Sequence, residues 1–259
     1  MKKILAFAAS LVVGATAAFA EMENAGERSV HALGFDVPVW GQTWYDTENS
    51  DDYNVDVYNK FSAVGFNFMY HHLNVSENRF SSFVNVEFGY SSWSYDEIEI
   101  DGHTVSVASV NKNTAKIYDG MSGFNTRFSF GLGGAPINID RVILAVHGTF
   151  GVNLSYGGNS TSAVLTEDNN DYNATFDTWI FNWWTTMGVN VESAFKLTDH
   201  FGLFAGMNMY INLIGFGAYG YEATASAAGQ SVSVDDGWLG IIYPGRFNID
   251  FRFGVAFIF

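Results

Sequence analysis

The most constraining feature of the sequence is its final stretch, residues 246–259, in which large apolar side chains occupy every second position. Those positions are Phe247, Ile249, Phe251, Phe253, Val255, Phe257 and Phe259. The positions between them are Arg246, Asn248, Asp250, Arg252, Gly254, Ala256 and Ile258. Successive side chains of a β-strand point to opposite faces, so this pattern predicts a strand with one strongly apolar face.

The same alternation recurs in earlier segments, separated in turn by short and by long connections. These segments are residues 29–40, 57–70, 79–91, 124–132, 141–156, 179–196 and 201–213. With the last one they predict an all-β fold, an eight-stranded antiparallel up-and-down transmembrane β-barrel with short turns at one end and long extracellular loops at the other. Two long loops contain further alternation, around Asp101-Gly102 and around residues 227–230, which favours raised hairpins there.

The apolar face could point outward to lipid, or inward as in a soluble eight-stranded ligand-binding barrel. The interior of a barrel of this size is barely wide enough for side chains and cannot hold so many large aromatic residues. The outward orientation is therefore the prediction. Aromatic girdles are expected at Tyr70, Phe80, Phe201 and Phe257 on one rim, and at Tyr90, Tyr156 and Trp179 on the other.

Composition excludes several other classes of protein. The chain has no Cys, which removes disulfides and thiolate metal sites, and a net charge of −15, which argues against a nucleic-acid partner. Residues 1–20 have the basic start, apolar run and Ala-Phe-Ala end of a cleaved signal peptide. The expected organisation is a signal peptide at 1–20, a leader at 21–28 and the barrel at 29–259.

A terminal strand that ends in Phe, combined with a secretion signal, resembles the C-terminal strand of bacterial outer-membrane β-barrels. The chain as a whole resembles the small OmpA/OmpX-type barrels, with no periplasmic domain expected. The resemblance implies a location in the cell outer membrane of a Gram-negative-type bacterium, contact with outer-membrane lipid, and recognition of the last strand by the barrel-assembly machinery. The residues implied in that recognition are Phe251, Phe253, Val255, Phe257 and Phe259. Acidic loops and Pro38 in the first strand depart from the family pattern.

Seven charged or titratable residues share the inward orientation at similar depth. They are Asp36, Glu87, Arg127, His147, Glu192, Asp250 and Arg252. Buried charges must pair or lose their charge, and strand neighbours predict the pairs Glu87–Arg127 and Arg252–Asp36. The set is either a structural ion network that fills the lumen or a selectivity constriction.

Motifs that would indicate nucleotide binding, catalysis or metal binding are weak in this sequence. Residues 215–220 match G-x-G-x-x-G but leave a strand for a loop, without the helix that a nucleotide site needs. His71 and His72 are interpreted as polar turn residues, and His103 with Ser106 is the only loop histidine near a hydroxyl. Asp51, Asp52, Asn54 and Asp56 lack the glycine and glutamate of an EF-hand, so at most loosely bound Ca²⁺ or Mg²⁺ is expected, with no other cofactor.

The long loops are strongly acidic. Their carboxylates are Asp46, Glu48, Asp51, Asp52, Asp56, Asp96, Glu97, Glu99, Asp101, Asp119, Glu167, Asp168, Asp171, Asp177, Glu222, Asp235 and Asp236. The leading prediction is a non-enzymatic barrel that displays these loops for envelope integrity or surface interaction, with an extracellular partner that the sequence does not specify. A narrow channel or small apolar-molecule transporter is the alternative, and an outer-membrane lipid-modifying enzyme is a distant third.

Overall fold

A computed structural model describes residues 24–49, 54–100, 102–105, 120–167, 170–227, 230–243 and 245–259. The predicted signal peptide therefore lies outside the described residues. The strands are β1 (Arg28–Asn49), β2 (Asn54–Val75), β3 (Phe80–Ile100), β4 (His103–Val105), β5 (Met121–Ile139), β6 (Val142–Glu167), β7 (Asn170–Lys196), β8 (Phe201–Ala227), β9 (Gln230–Tyr243) and β10 (Phe247–Ile258). No helix in the described part of the chain is long and apolar enough to cross a membrane.

Antiparallel pairing closes the sheet into a ring. The order is β10-β1-β2-β3-β5-β6-β7-β8, and β10 also pairs with β8 from Phe247↔Ile211 to Phe257↔Phe201. Strand β9 continues β10 upward along the same path, pairing with the upper part of β8 and with β1 at Thr43–Tyr45. Eight positions therefore make the ring, and the predicted eight-stranded antiparallel barrel is confirmed.

The turns at one end are shorter than predicted. The turn at residues 197–200 is confirmed, but β2 continues to Val75 and β5 to Ile139, so the connections predicted at 71–78 and 133–140 are mostly strand. In β5 the register shifts between Gly134 and Ile137, around Pro136. Proline cannot donate to the ladder, so the strand forms a bulge there and then resumes.

At the other end the long connections are mostly raised hairpins. The segments predicted as loops at 41–56 and 157–177 continue as paired strands up to Asn49↔Asn54 and Glu167↔Asn170. The hairpins predicted near 101–102 and 227–230 are confirmed by the pairs Ile100↔His103 and Ala227↔Gln230. Strands β7 and β8 each have 27 residues, whereas about 9–11 suffice to cross a bilayer, so the hairpins stand above the membrane.

The outer wall carries an apolar belt, as the outward orientation predicts. Phe68 is 64% exposed, Phe124 57% and Phe253 46%, and the predicted girdle residues Tyr70, Phe80, Phe201, Phe257, Tyr90, Tyr156 and Trp179 are exposed as well. A soluble barrel with its apolar face inside is therefore wrong for this chain. A closed barrel satisfies every backbone hydrogen bond internally, which is what a lipid environment requires.

Pro38 is accommodated by a local gap in one ladder. It aligns with Asp250 on β10, while the pairing of β1 with β2 is interrupted between Asp36↔Asn67 and Val39↔Val64. Gly65 lies opposite, and a Cβ there would come within 3.0 Å of the Pro38 ring. The missing side chain at Gly65 makes room for the proline.

The apolar belt on the outer wall predicts that a charged side chain placed there lowers the stability of the folded barrel, and that the loss is largest at the middle of the membrane. Phe128, 49% exposed on β5, lies about midway between the two rims, and we expect Phe128→Arg to destabilise the barrel by about 2–4 kcal/mol in lipid vesicles. Val232, 69% exposed on raised strand β9, is the matched control, and Val232→Arg should cost little. Denaturant unfolding in phospholipid vesicles measures both, and equal costs would contradict the proposed membrane level.

Candidate functional site

The lumen is filled by side chains in layers. A lower cluster at the short-turn end consists of Val30, Ala32, Met69, Leu73, Val75, Phe83, Ala135, Ile143, Ala145, Ala194, Phe204, Ala256 and Ile258. An upper cluster, towards the hairpins, consists of Trp40, Ala63, Trp93, Met121, Ile180, Trp184 and Ile242. Between the two clusters lies a layer of buried polar and charged side chains.

The interior holds several large aromatic residues, which is more than the narrow interior expected from the sequence suggests. In the upper cluster the ring centroid of Trp40 lies 5.8 Å from that of Trp93 and 5.2 Å from that of Trp184. In the lower cluster Phe83 fits because its neighbour across the sheet is Gly131, where a Cβ would collide with the Phe83 ring. A glycine opposite a large side chain thus gives the lumen local room that an average barrel radius does not suggest.

The seven predicted inward residues all lie buried in the middle layer. With His71, which sequence reasoning missed, they form a set that we call the charge belt: Asp36, His71, Glu87, Arg127, His147, Glu192, Asp250 and Arg252. Asp36, His71, Glu87, Arg127, His147 and Glu192 come from β1, β2, β3, β5, β6 and β7 respectively, and the other two come from β10. Tyr210 lies on β8, the one strand of the ring that is not represented in the charge belt. Each of the eight strands of the ring therefore contributes a buried titratable side chain.

Arg252 is the hub of the belt. Its Nη2 lies 3.0 Å from Glu87 Oε1 and 3.8 Å from Asp250 Oδ2, and its Nε lies 3.7 Å from Asp36 Oδ1. The predicted contact between Arg252 and Asp36 is therefore present. It is one of three contacts that the guanidinium makes with carboxylates.

The predicted pair Glu87–Arg127 is not formed, although the two residues are register partners on β3 and β5. Arg127 instead donates to Asp250 on the opposite wall, and its guanidinium lies 4.2 Å from the centre of the Tyr210 ring. In a closed barrel inward side chains converge on the axis, so a long arginine reaches across the lumen more easily than it bends towards its strand neighbour.

Glu192 holds the second part of the belt together. Its carboxylate lies 3.0 Å from His71 Nε2 and 3.5 Å from His147 Nδ1, and His147 Nε2 is 2.8 Å from Ser81 Oγ. A hydroxyl, an imidazole and a carboxylate in this order are used in nucleophilic catalysis. Ser81 is 0% exposed and pairs with Val75 of the lower cluster, so its hydroxyl is closed off from solvent and from a substrate.

His71 was interpreted as a turn residue because the turn was predicted to begin there. Strand β2 in fact continues to Val75, which gives His71 the inward orientation of Asn67 and Met69 and turns His72 outward. The signal was present in the sequence, since His71 continues the parity of that inward face.

Asparagines complete the belt. Asn190 donates from Nδ2 to Glu192 Oε2 at 2.7 Å and accepts from Arg252 Nη1 at 3.4 Å, which joins the two parts. Asn85 donates to Glu87, and Asn67 Nδ2 donates to Asp36 Oδ2 at 3.5 Å. Four carboxylates face two guanidiniums and two imidazoles, so the belt is balanced only when two further protons are held within it.

The residues before β1 cross the short-turn opening as a strap, residues 24–27. Asn24 donates to the Glu77 carbonyl at 2.6 Å, Ala25 N–H donates to the Asn138 carbonyl at 2.9 Å, and Asn138 Nδ2 donates to the Gly26 carbonyl at 2.7 Å. Arg28, the first residue of β1, donates to the Asp140 carbonyl at 2.9 Å. The leader predicted at 21–28 therefore contributes its last residues to the fold.

The other predicted sites either are not assembled among the described residues or fall on residues that the structure does not describe. In the described residues no group of three or more His, Asp or Glu side chains is arranged to hold a metal ion. Asp51, Asp52 and Ser106 lie outside the described residues, and the side chains of Asn54 and Asp56 are not described. The C-terminal residues Phe251, Phe253, Val255, Phe257 and Phe259 face outward, where lipid would lie.

A closed antiparallel barrel with a lipid-facing apolar belt, short turns at one end and raised hairpins at the other is the architecture of bacterial outer-membrane proteins. The chain is accordingly an integral outer-membrane β-barrel. By the same architecture the short turns and the strap face the periplasm, and the hairpins face the exterior.

No protein-family model matches the chain, and no curated protein is significantly similar to it. Among solved structures, the chain is similar to a major outer membrane protein from Thermus thermophilus, with 14% identity, 88% of this chain and 99% of that chain covered, and a TM-score of 0.47. It is also similar to the outer membrane protease OmpT from Escherichia coli, at 8% identity, 91% and 97% coverage and a TM-score of 0.32. A third similarity is to the outer membrane protein AlkL, at 12% identity, 91% coverage of both chains and a TM-score of 0.34. At these identities and TM-scores the matches support no inference about function.

The observed contacts predict which pairs in the belt are energetically coupled. Removing the Arg252 guanidinium leaves the buried carboxylates of Asp36 and Glu87 without their cationic partner, whereas Asp250 keeps Arg127, so Arg252→Gln should cost about 3–5 kcal/mol of folding free energy. A double-mutant cycle of Glu87→Gln with Arg252→Gln should show strong coupling. The cycle of Glu87→Gln with Arg127→Gln is the matched control, and stronger coupling there would contradict the observed pairing.

Proposed function

We propose that this chain is a non-enzymatic outer-membrane barrel that anchors and displays its raised, acidic hairpins, for envelope integrity or surface interaction. The observation that carries the proposal is the filled lumen. The strap, the lower cluster, the charge belt and the upper cluster follow one another along the axis and leave no continuous passage through the described residues.

The filled lumen weighs against the alternative of a narrow channel or small apolar-molecule transporter. A conducting pore needs a connected aqueous or apolar path. Opening such a path here would require breaking ion pairs in the charge belt and also pulling apart the packed side chains of both apolar clusters. Breaking one buried ion pair by removing a partner typically costs about 3–5 kcal/mol. The belt is therefore better explained as the packing that holds the barrel shut.

The raised sheet offers an acidic surface just outside the membrane. Asp177 on β7, Glu222 on β8 and Asp235 on β9 are exposed register partners in one row across three strands. Like charges directly opposite each other destabilise a sheet, so local strand stability does not explain the row. Trp179, two positions below Asp177 on the same face, belongs to the outer aromatic rim, which places the row beside the lipid headgroups.

A partner of this surface is expected to carry positive charge, because the acidic row repels anions. Loose binding of Ca²⁺ or Mg²⁺ by Asp51, Asp52, Asn54 and Asp56 stays part of this proposal, as does recognition of the last strand by the assembly machinery. The lipid-modifying enzyme gains no support from the described residues, where His103 lies exposed in β4.

Single-channel recording tests the closed lumen. The refolded protein, inserted in a planar lipid bilayer, should show no sustained conductance in either polarity, because its interior is packed by side chains. A correctly folded preparation, recognised by its altered gel position before boiling, controls for failed insertion. A stable, ion-selective conductance would favour the channel instead.

Shortening one hairpin tests whether binding of a cationic partner can be lost while the barrel still folds. Replacing residues 159–178 by Asn-Gly joins Gly158 to Trp179, which are register partners, with a two-residue turn. The shortened protein should still fold into the barrel in lipid but bind an oligolysine peptide more weakly. The triple variant Asp177→Asn, Glu222→Gln, Asp235→Asn keeps all hairpins and should lose peptide binding too. Failure of the shortened chain to fold, or unchanged binding by the triple variant, would contradict the display role.

A further inference from the structure

A small cavity remains between the charge belt and the upper cluster. Its volume is about 10 Å³, and its walls include Asn67, Glu87, Arg127 and Asn153, with Trp40 and Trp184 on the upper side. A cavity needs about this volume to hold one water molecule. Anything with more than about one heavy atom would not fit.

Four of the polar residues in the wall each have one buried side-chain atom without a hydrogen-bonding partner among the described residues. These atoms are Asn67 Oδ1, Glu87 Oε2, Arg127 Nε and Asn153 Nδ2. Other atoms of three of these side chains are already engaged. Asn67 Nδ2 donates to Asp36, Glu87 Oε1 lies 3.0 Å from Arg252 Nη2, and Arg127 Nη1 donates to Asp250.

The chemistry of the four atoms specifies the ligand. Arg127 Nε and Asn153 Nδ2 are N–H donors, whereas Asn67 Oδ1 and Glu87 Oε2 are acceptors. An anion would call for donors alone and a cation for acceptors alone. A water molecule, with two O–H donors and two lone pairs, matches two donors and two acceptors, and buried waters typically make about three such bonds.

We propose that this cavity is a binding site for a single water molecule, held between Glu87 and Arg127 of the charge belt and two asparagines. The water links the two register partners Glu87 and Arg127, which do not contact each other directly. It sits between the charge belt and the upper cluster, with Trp40 and Trp184 above it. The site therefore completes the packing of the belt and adds no conduction path.

Proton-detected solid-state NMR on the full protein in deuterated lipid bilayers tests the site. A cross peak at the water frequency should appear on Arg127 Nε–H and on the Asn153 side-chain amide. Arg252 Nε–H, equally buried but outside the cavity wall, is the internal control and should show none. Absence of the cross peak from Arg127 in the wild type would overturn the proposal.

Two further experiments measure the same Arg127 signal, first in Asn→Leu variants and then after a change of anion. Asn153→Leu removes one donor and fills the cavity, so the Arg127 cross peak should fall to background. Asn182→Leu changes an equally buried asparagine on β7 that does not line the cavity, and the cross peak should remain. Persistence in Asn153→Leu would overturn the site. A shift of the Arg127 Nε resonance on exchange of nitrate for bromide would overturn water in favour of an anion.

Discussion

The contacts of Arg252 with three carboxylates are the interaction on which the rest of the structure depends. Arg252 lies on the last strand, and its partners Asp36, Glu87 and Asp250 lie on β1, β3 and β10. Arg252 therefore connects β1 and β10, the first and last strands of the barrel, with β3, which is two strands beyond β1 in the ring. Removing one partner of a buried ion pair is strongly destabilising. The closure of the sheet and the packing of the lumen therefore depend on the same set of contacts.

The proposed display role follows from the closed interior, which leaves the outer surfaces of the barrel available to a partner. The lower and upper clusters separate the belt from bulk water at the two ends of the barrel, and the strap adds a covering at the periplasmic end. Strands far longer than a bilayer requires carry the sheet beyond the outer rim. In the proposed role the barrel is the base, and a partner would meet the acidic sheet raised on it.

Parity along the strands allowed the fold and the inward side chains to be predicted, because one face had to meet lipid. Parity tells on which side a residue lies but not how far it reaches, so Arg127 was assigned to its neighbour Glu87 rather than to Asp250 across the lumen. His71 was missed because its strand was ended too early. The hairpins at 41–56 and 157–177 were predicted as loops because the sequence there shows no period-two apolar pattern, and a strand above the membrane needs no apolar face towards lipid.

Thiol accessibility tests the closed lumen most directly, because the chain has no cysteine of its own. Ser129 is buried beside Asn85 at the level of the belt, and Ser233 is exposed on β9, so Ser129→Cys and Ser233→Cys place single thiols inside and outside. In folded protein in lipid vesicles, with a small water-soluble thiol reagent on both sides, the account predicts rapid modification at position 233 and none at position 129 until the barrel is unfolded. Modification of the cysteine at 129 in the folded barrel, at a rate comparable to that at 233, would contradict a closed interior.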